Sequence, residues 1–181
     1  MSVAIPDYVE PLEGWRVWRV GGDDGLLRLL SVVQETVWPP REELVADCLR
    51  RRMFARLRRS RRHEAPAATC ACGIYATSLR RLGSYLQDRG DRATCYVFGR
   101  VRLWGTVVEC EQGWRASRAY PAEVFVPALA RSSAARASAE EIADALNCYA
   151  VPVAVLAHTA TEALEVVARE RGLDGQIGLV R

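Results

Sequence analysis

Cysteine and histidine are the side chains whose types and spacing here could do chemistry. Cys48, His63, Cys70 and Cys72 fall within 25 residues as Cys-x14-His-x6-Cys-x-Cys. Zinc takes four soft or borderline ligands in a tetrahedron, and thiolate and imidazole are its usual suppliers. Cys70 and Cys72 lie in HEAPAATCACGIYA, a Pro-, Ala- and Gly-rich stretch able to fold back and aim both sulfurs at one centre. Four protein ligands leave no position open to water or substrate, so the expected ion is a structural Zn2+. The spacing is not the Cys-x2-Cys pair of zinc fingers. A competing reading makes Cys48 a buried helix residue and His63 an ordinary surface group. One physical point favours the metal: the segment between Cys48 and His63 is too polar to fold alone, and an ion would anchor both its ends.

The remaining thiols, Cys95, Cys110 and Cys148, sit in or near apolar patterns and read as small core residues. Cys110 is the substitute if one of the four ligands is wrong. A thiol nucleophile with His63 as base lacks an orienting acid other than Glu64. No acidic cluster stands beside the His or Arg residues to hold the divalent ions a nuclease needs. A non-catalytic protein is expected. His158, in LAHTAT, reads as a helix-start or surface residue.

Charge points to a partner. All 25 basic residues are Arg, and the net charge is only +3. A GC-rich genome accounts for Arg in place of Lys, yet guanidinium groups pair with phosphate and carboxylate as ammonium groups cannot. Residues 50–62, RRRMFARLRRSRR, hold eight Arg in thirteen positions. Arg50, Arg51, Arg52, Arg58, Arg59 and Arg62 are the expected phosphate contacts, attracting a nucleic-acid backbone by charge and counterion release. A solvated, solubilising loop is the plain alternative. A base lifted from its stack needs aromatic faces and polar groups at its edge. Trp38, Tyr75, Trp114, Arg115, Arg118 and Tyr120 lie near loops and strand ends where such a pocket could form.

The elements that must position these groups follow from periodicity and punctuation. Trp15–Val20 alternates as a half-buried strand, residues 21–25 (GGDDG) turn, and Leu26–Val33 returns. Trp38-Pro39-Pro40 stops regular structure. Glu42 to Arg52 reads as a short helix presenting Cys48, and Ser78 to Arg89 as a helix with Leu79, Leu82, Tyr85 and Leu86 on one face. Residues 95–110 form the clearest strand, with Gly99 and Gly105 marking bulges or close backbone approaches. A second strand over 113–121 ends at Pro121. Residues 130–139 read as a mobile linker, followed by a helix (Glu140–Tyr149), a strand (Val151–Leu156) and a helix (Thr161–Arg171). The expected domains are a zinc-braced main body at 1–129, the linker at 130–139, and a small α/β extension at 140–181 packed upon it.

At 181 residues, half of them hydrophobic, one domain can form a core without disulfides. The N-terminus has no signal-peptide pattern, and no stretch approaches the roughly 18 apolar residues that cross a membrane. A cytoplasmic protein is expected, nucleoid-associated if it binds DNA.

The motifs HEAP…CxCGIYA and LWGxVxE…GWRA, within residues 13–127, resemble a family of small actinobacterial proteins of uncharacterised function. Such sequences often carry His where this chain has Cys110. The second of these blocks, LWGxVxE…GWRA, also resembles the strand pattern of compact barrels of the PUA-like and SRA-like group, members of which often read modified bases. That resemblance implies an α+β fold with a strongly twisted, barrel-like core and flanking helices. It also implies a DNA-binding module for a modified base, 5-methylcytosine first. The alternative is a zinc-stabilised protein-interaction or regulatory domain docking an acidic protein partner.

Overall fold

A computed structural model describes residues 4–5, 10–22, 26–48, 63–89, 96–128, 130 and 137–173. The Arg-rich run 50–62, Cys95 and most of the expected linker lie outside the described residues. The elements in order are β1 (Ala4–Ile5), β2 (Leu12–Gly21), β3 (Arg28–Ser31), β4 (Leu44–Val45), β5 (Ile74–Ala76) and α1 (Leu79–Arg89). After them come β6 (Tyr96–Cys110), β7 (Gly113–Pro127), α2 (Ala139–Leu146), a 3-10 turn (Asn147–Tyr149), β8 (Val153–Leu156) and α3 (Ala160–Glu170).

The fold is mixed α+β, built on one eight-stranded sheet in the order β3-β2-β6-β7-β4. Strand β1 adds to β6, while β5 and β8 add to β7. All pairings are antiparallel except that of β8 with β7. A single bridge between Trp15 and Thr77 brings the end of β5 back to β2. It does not extend into a ladder, so the sheet is not closed into the barrel that the PUA-like and SRA-like resemblance implies.

The sheet is covered on both faces. Along β2, Trp18 and Val20 enter one core with Trp38, Val97, Val101, Ile142, Leu146 and Tyr149. Trp15 and Val17 enter a second core with Leu79, Leu82, Leu86, Phe98, Phe125 and Leu164. WRVWRV is therefore buried on both sides rather than one, and Arg16 and Arg19 are the residues left half-buried between. The hairpin to β3 forms as expected, Trp18–Gly21 pairing with Arg28–Ser31.

Three further expectations change. Over its described part, 42–48, the chain forms no helix: Leu44–Val45 pairs as a strand with Ala119 and Arg118, and Cys48 follows without regular structure. Leu44 and Ala46 are half-buried while Val45 is exposed, a period of two that suits a sheet edge. Strand β7 does not stop at Pro121. Val101 pairs with Pro121 and Arg100 with Glu123, so Ala122 is an extra residue accommodated by a bulge, and strands tolerate proline beside such an irregularity. The third change is the barrel.

The glycine expectations hold. Gly105 adopts φ +70 at the second register shift. A Cβ on Gly99 would stand 2.0 Å from the Glu123 carbonyl oxygen, a close backbone approach. Helices α2 and α3 each begin with a capping box, Ser138 with Glu141 and Thr159 with Glu162. His158 immediately precedes that second cap and is exposed.

Candidate metal centre

Cys48, His63, Cys70 and Cys72 converge, with their ligand atoms all within 4.8 Å of one another. Cys48 and Cys72 are buried; His63 and Cys70 are half-buried. The Cys48 and Cys70 sulfurs lie 3.8 Å apart, and His63 Nε2 lies 3.3 Å from Cys72 Sγ. Zinc–thiolate bonds near 2.3 Å in a tetrahedron place two sulfurs about 3.8 Å apart. A disulfide needs about 2.05 Å. The spacing suits a shared ion.

The thiols show why an ion is wanted. Burial opposes ionisation of Cys70, but hydrogen bonds from the Cys72 backbone, Cys72, Cys48 and His63 outweigh it and pull the thiol from 9.0 to about 7. Burial pushes Cys72 up to about 11, and the neighbouring thiols Cys70 and Cys48 add to the rise. Cys70 and Cys72 do not ionise together unaided, because each thiolate disfavours the other. A divalent cation removes that conflict by taking all three as thiolates.

Arg115 fastens the loop from behind. It is 5% exposed, and its Nη1 donates to the carbonyls of Ala67, Cys70 and Cys72, the last at 2.8 Å. Its Nε donates to Cys110 Sγ at 3.1 Å. Although burial works against its charge, the contacts with Cys110 and Tyr75 raise its affinity for the proton. The guanidinium also faces the Tyr75 ring, 5.9 Å from its centre. Gly73 (φ +121) lets the chain leave Cys72 between Pro66 and Arg115, whose Cβ atoms would stand 2.9 and 3.1 Å from a Cβ there. From Gly73 the chain enters β5, which pairs with Trp114–Ala116 of β7. The metal loop is thus mounted on the sheet.

The expected base-pocket residues do not converge. Trp38 is fully buried, edge-on to Trp18, its Nε1 donating to Ser31 Oγ at 3.0 Å. Tyr120 donates to the Tyr149 carbonyl at 2.9 Å and accepts from the Arg41 N–H at 2.6 Å. Arg118 pairs with Glu43 at 2.8 Å on the surface. Arg115 is committed to the metal loop. Tyr75 and Trp114 remain, both lining a groove of about 580 Å³ beside that loop. Tyr75 is 47% exposed, and its hydroxyl donates to the Ala71 carbonyl at 2.7 Å.

Of the other thiols, Cys110 is half-buried, stands outside the cluster and lines the groove. Cys148 is half-buried against the first core. Sequence reasoning missed Arg16, which also lines the groove. Its Nη1 donates to the Tyr75 carbonyl and its Nη2 to Ser31 Oγ at 3.2 Å, with the guanidinium 5.0 Å from the centre of the Trp38 ring. Burial pulls its pKa down to about 10, against a small opposing effect of Tyr85. The available signal was an Arg between two buried residues of a strand.

No helix among the described residues is long and apolar enough to cross a membrane. No protein-family model, curated protein or solved structure matches the chain.

Proposed function

We propose that the chain is a non-catalytic module, braced by zinc, that binds nucleic acid through its Arg-rich run. One observation supports this above the rest: Cys48 and His63, which flank residues 49–62 in the sequence, meet at the same cluster. An ion held there ties both ends of a segment with eight Arg to the folded sheet. Guanidinium groups at that density attract phosphates by charge and counterion release. Three thiolates and one imidazole complete a tetrahedron, which suits a structural ion and leaves no position for a reacting water. The finer reading, selection of 5-methylcytosine, has Tyr75 and Trp114 as its remaining aromatic faces.

Fluorescence anisotropy of the metal-loaded protein with plain and methylated duplex DNA, over a salt series, tests both levels. Affinity is expected to fall steeply with salt, with a log–log slope of roughly −4 to −7 if that many phosphates are neutralised. Chelation should weaken binding about tenfold, and a difference between the duplexes would measure base selection. Negligible binding to either duplex at low salt sinks the proposal.

A further inference from the structure

The groove beside the metal loop carries a second, independent feature. Of the charged residues on its wall, Asp47, Arg81 and Asp88 are exposed, and only Arg16 is half-buried. Among the described residues no carboxylate forms an ion pair with Arg16. Its two hydrogen bonds go to neutral oxygens, the Tyr75 carbonyl and Ser31 Oγ. Its Nε is buried and has no hydrogen-bond partner. Partial withdrawal of a charge from water is unfavourable, and neutral acceptors offset it only in part. An acidic oxygen would complete the site. The surrounding wall is largely apolar, and its volume falls within the roughly 300–1,000 Å³ of small-molecule sites.

We infer that this groove binds a small amphipathic anion, its carboxylate or equivalent acidic oxygen on Arg16 and its apolar body against Val17, Val32, Ile74, Leu82 and Trp114. This goes beyond the nucleic-acid reading and does not depend on it. Arg16 remains cationic at neutral pH, so the pairing persists under ordinary conditions. Guanidinium–carboxylate bonds are roughly twice as strong as neutral ones, so the head group, not the chain, should set the preference.

The probe is 8-anilinonaphthalene-1-sulfonate, itself an aromatic anion, bound to the metal-loaded protein and displaced by decanoate, decan-1-ol or decyltrimethylammonium. Decanoate is expected to displace it at about one-tenth the concentration of the other two. In Arg16→Met, which keeps length and apolarity, that preference should fall below about threefold. Arg16→Lys should retain part of it. If Arg16→Met does not fold by circular dichroism, the Arg16 Nε–H resonance of the unaltered protein decides: decanoate should shift it and decan-1-ol should not. Equal displacement by the neutral or cationic amphiphile overturns the inference. So does a preference that survives in Arg16→Met, or displacement by duplex DNA but not by decanoate, which would assign the groove to a base.

Discussion

The two ends of β7 are held by different chemistry. At its start, Trp114–Ala116 carries β5 and, through Arg115, the loop bearing Cys70 and Cys72. Few large apolar groups are buried in that loop, and its backbone carbonyls are gathered by one guanidinium. At its other end, Val124–Pro127 carries β8 in parallel, with α2 and α3 packed on opposite faces. There Ile142, Leu146 and Leu164 are fully buried, and two capping boxes satisfy the helix starts. The C-terminal end is stabilised by ordinary burial and local hydrogen bonds. The metal-loop end depends on four side chains meeting one point. Equal-looking extensions of one sheet can therefore differ in what removes them.

That contrast can be broken from either side. Cys72→Ser takes away a buried ligand and should cost roughly 5 kcal/mol, part of the on the order of 10 kcal/mol that a structural zinc contributes to small domains. Hydrogen exchange should show protection lost over 63–77 and kept over 124–127 and 153–156. Arg115→Met takes the guanidinium donor from the Cys70 and Cys72 carbonyls, while that of Ala67 keeps the Cys70 N–H; about 3 kcal/mol of stability and a tenfold or greater fall in zinc affinity are expected from denaturant titration and chelator competition. Leu164→Ala opens a cavity at the far end and should also cost about 3 kcal/mol, while zinc affinity stays put. Thr159→Ala removes a cap worth about 1 kcal/mol and should shift the melting temperature alone.

The smallest effect is the pH dependence of chelated protein. The pKa of Cys70 is depressed to about 7 from 9.0, so its contribution to stability is full above 9.0 and is lost as pH falls through 7. The pKa of Cys72 is raised to about 11, so its contribution is full below 9.0 and is lost as pH climbs through 11. These two groups should give the metal-free form a stability maximum near pH 9, read from melting curves. The metal-loaded form should instead lose stability on acidification, as protons compete for its thiolates.

Legibility in the sequence tracks the same contrast. Leu79, Leu82 and Leu86 announce their helix because burial follows a 3.6-residue period. The β2–β3 pairing is equally plain, since its turn residues and flanking apolar strands are local. The convergence of Cys48, His63, Cys70 and Cys72 was readable from residue type and spacing alone. Their support was not. In sequence Arg115 reads as a base-pocket group and Arg16 only as a charge between strand residues, and only the register of β7 with β5, and the approach of Tyr75 to β2, makes them donors to the loop and to β5. Trp38, read as a pocket wall, lies in the core with its Nε1 on Ser31, and Tyr120 packs half-buried against that core, its hydroxyl held by Tyr149 and Arg41 from distant parts of the chain. Pro121 looked like a strand end because a bulge is a property of two strands, and a one-strand reading cannot contain it.

The most direct test is metal analysis of the purified chain, with cobalt(II) substitution to report geometry. A four-ligand centre requires one zinc per chain, and the cobalt form should show the intense visible absorption of a tetrahedral thiolate site, lost in Cys72→Ser. A metal-free protein with freely reactive Cys48, Cys70 and Cys72, melting at the same temperature with and without added zinc, would contradict it.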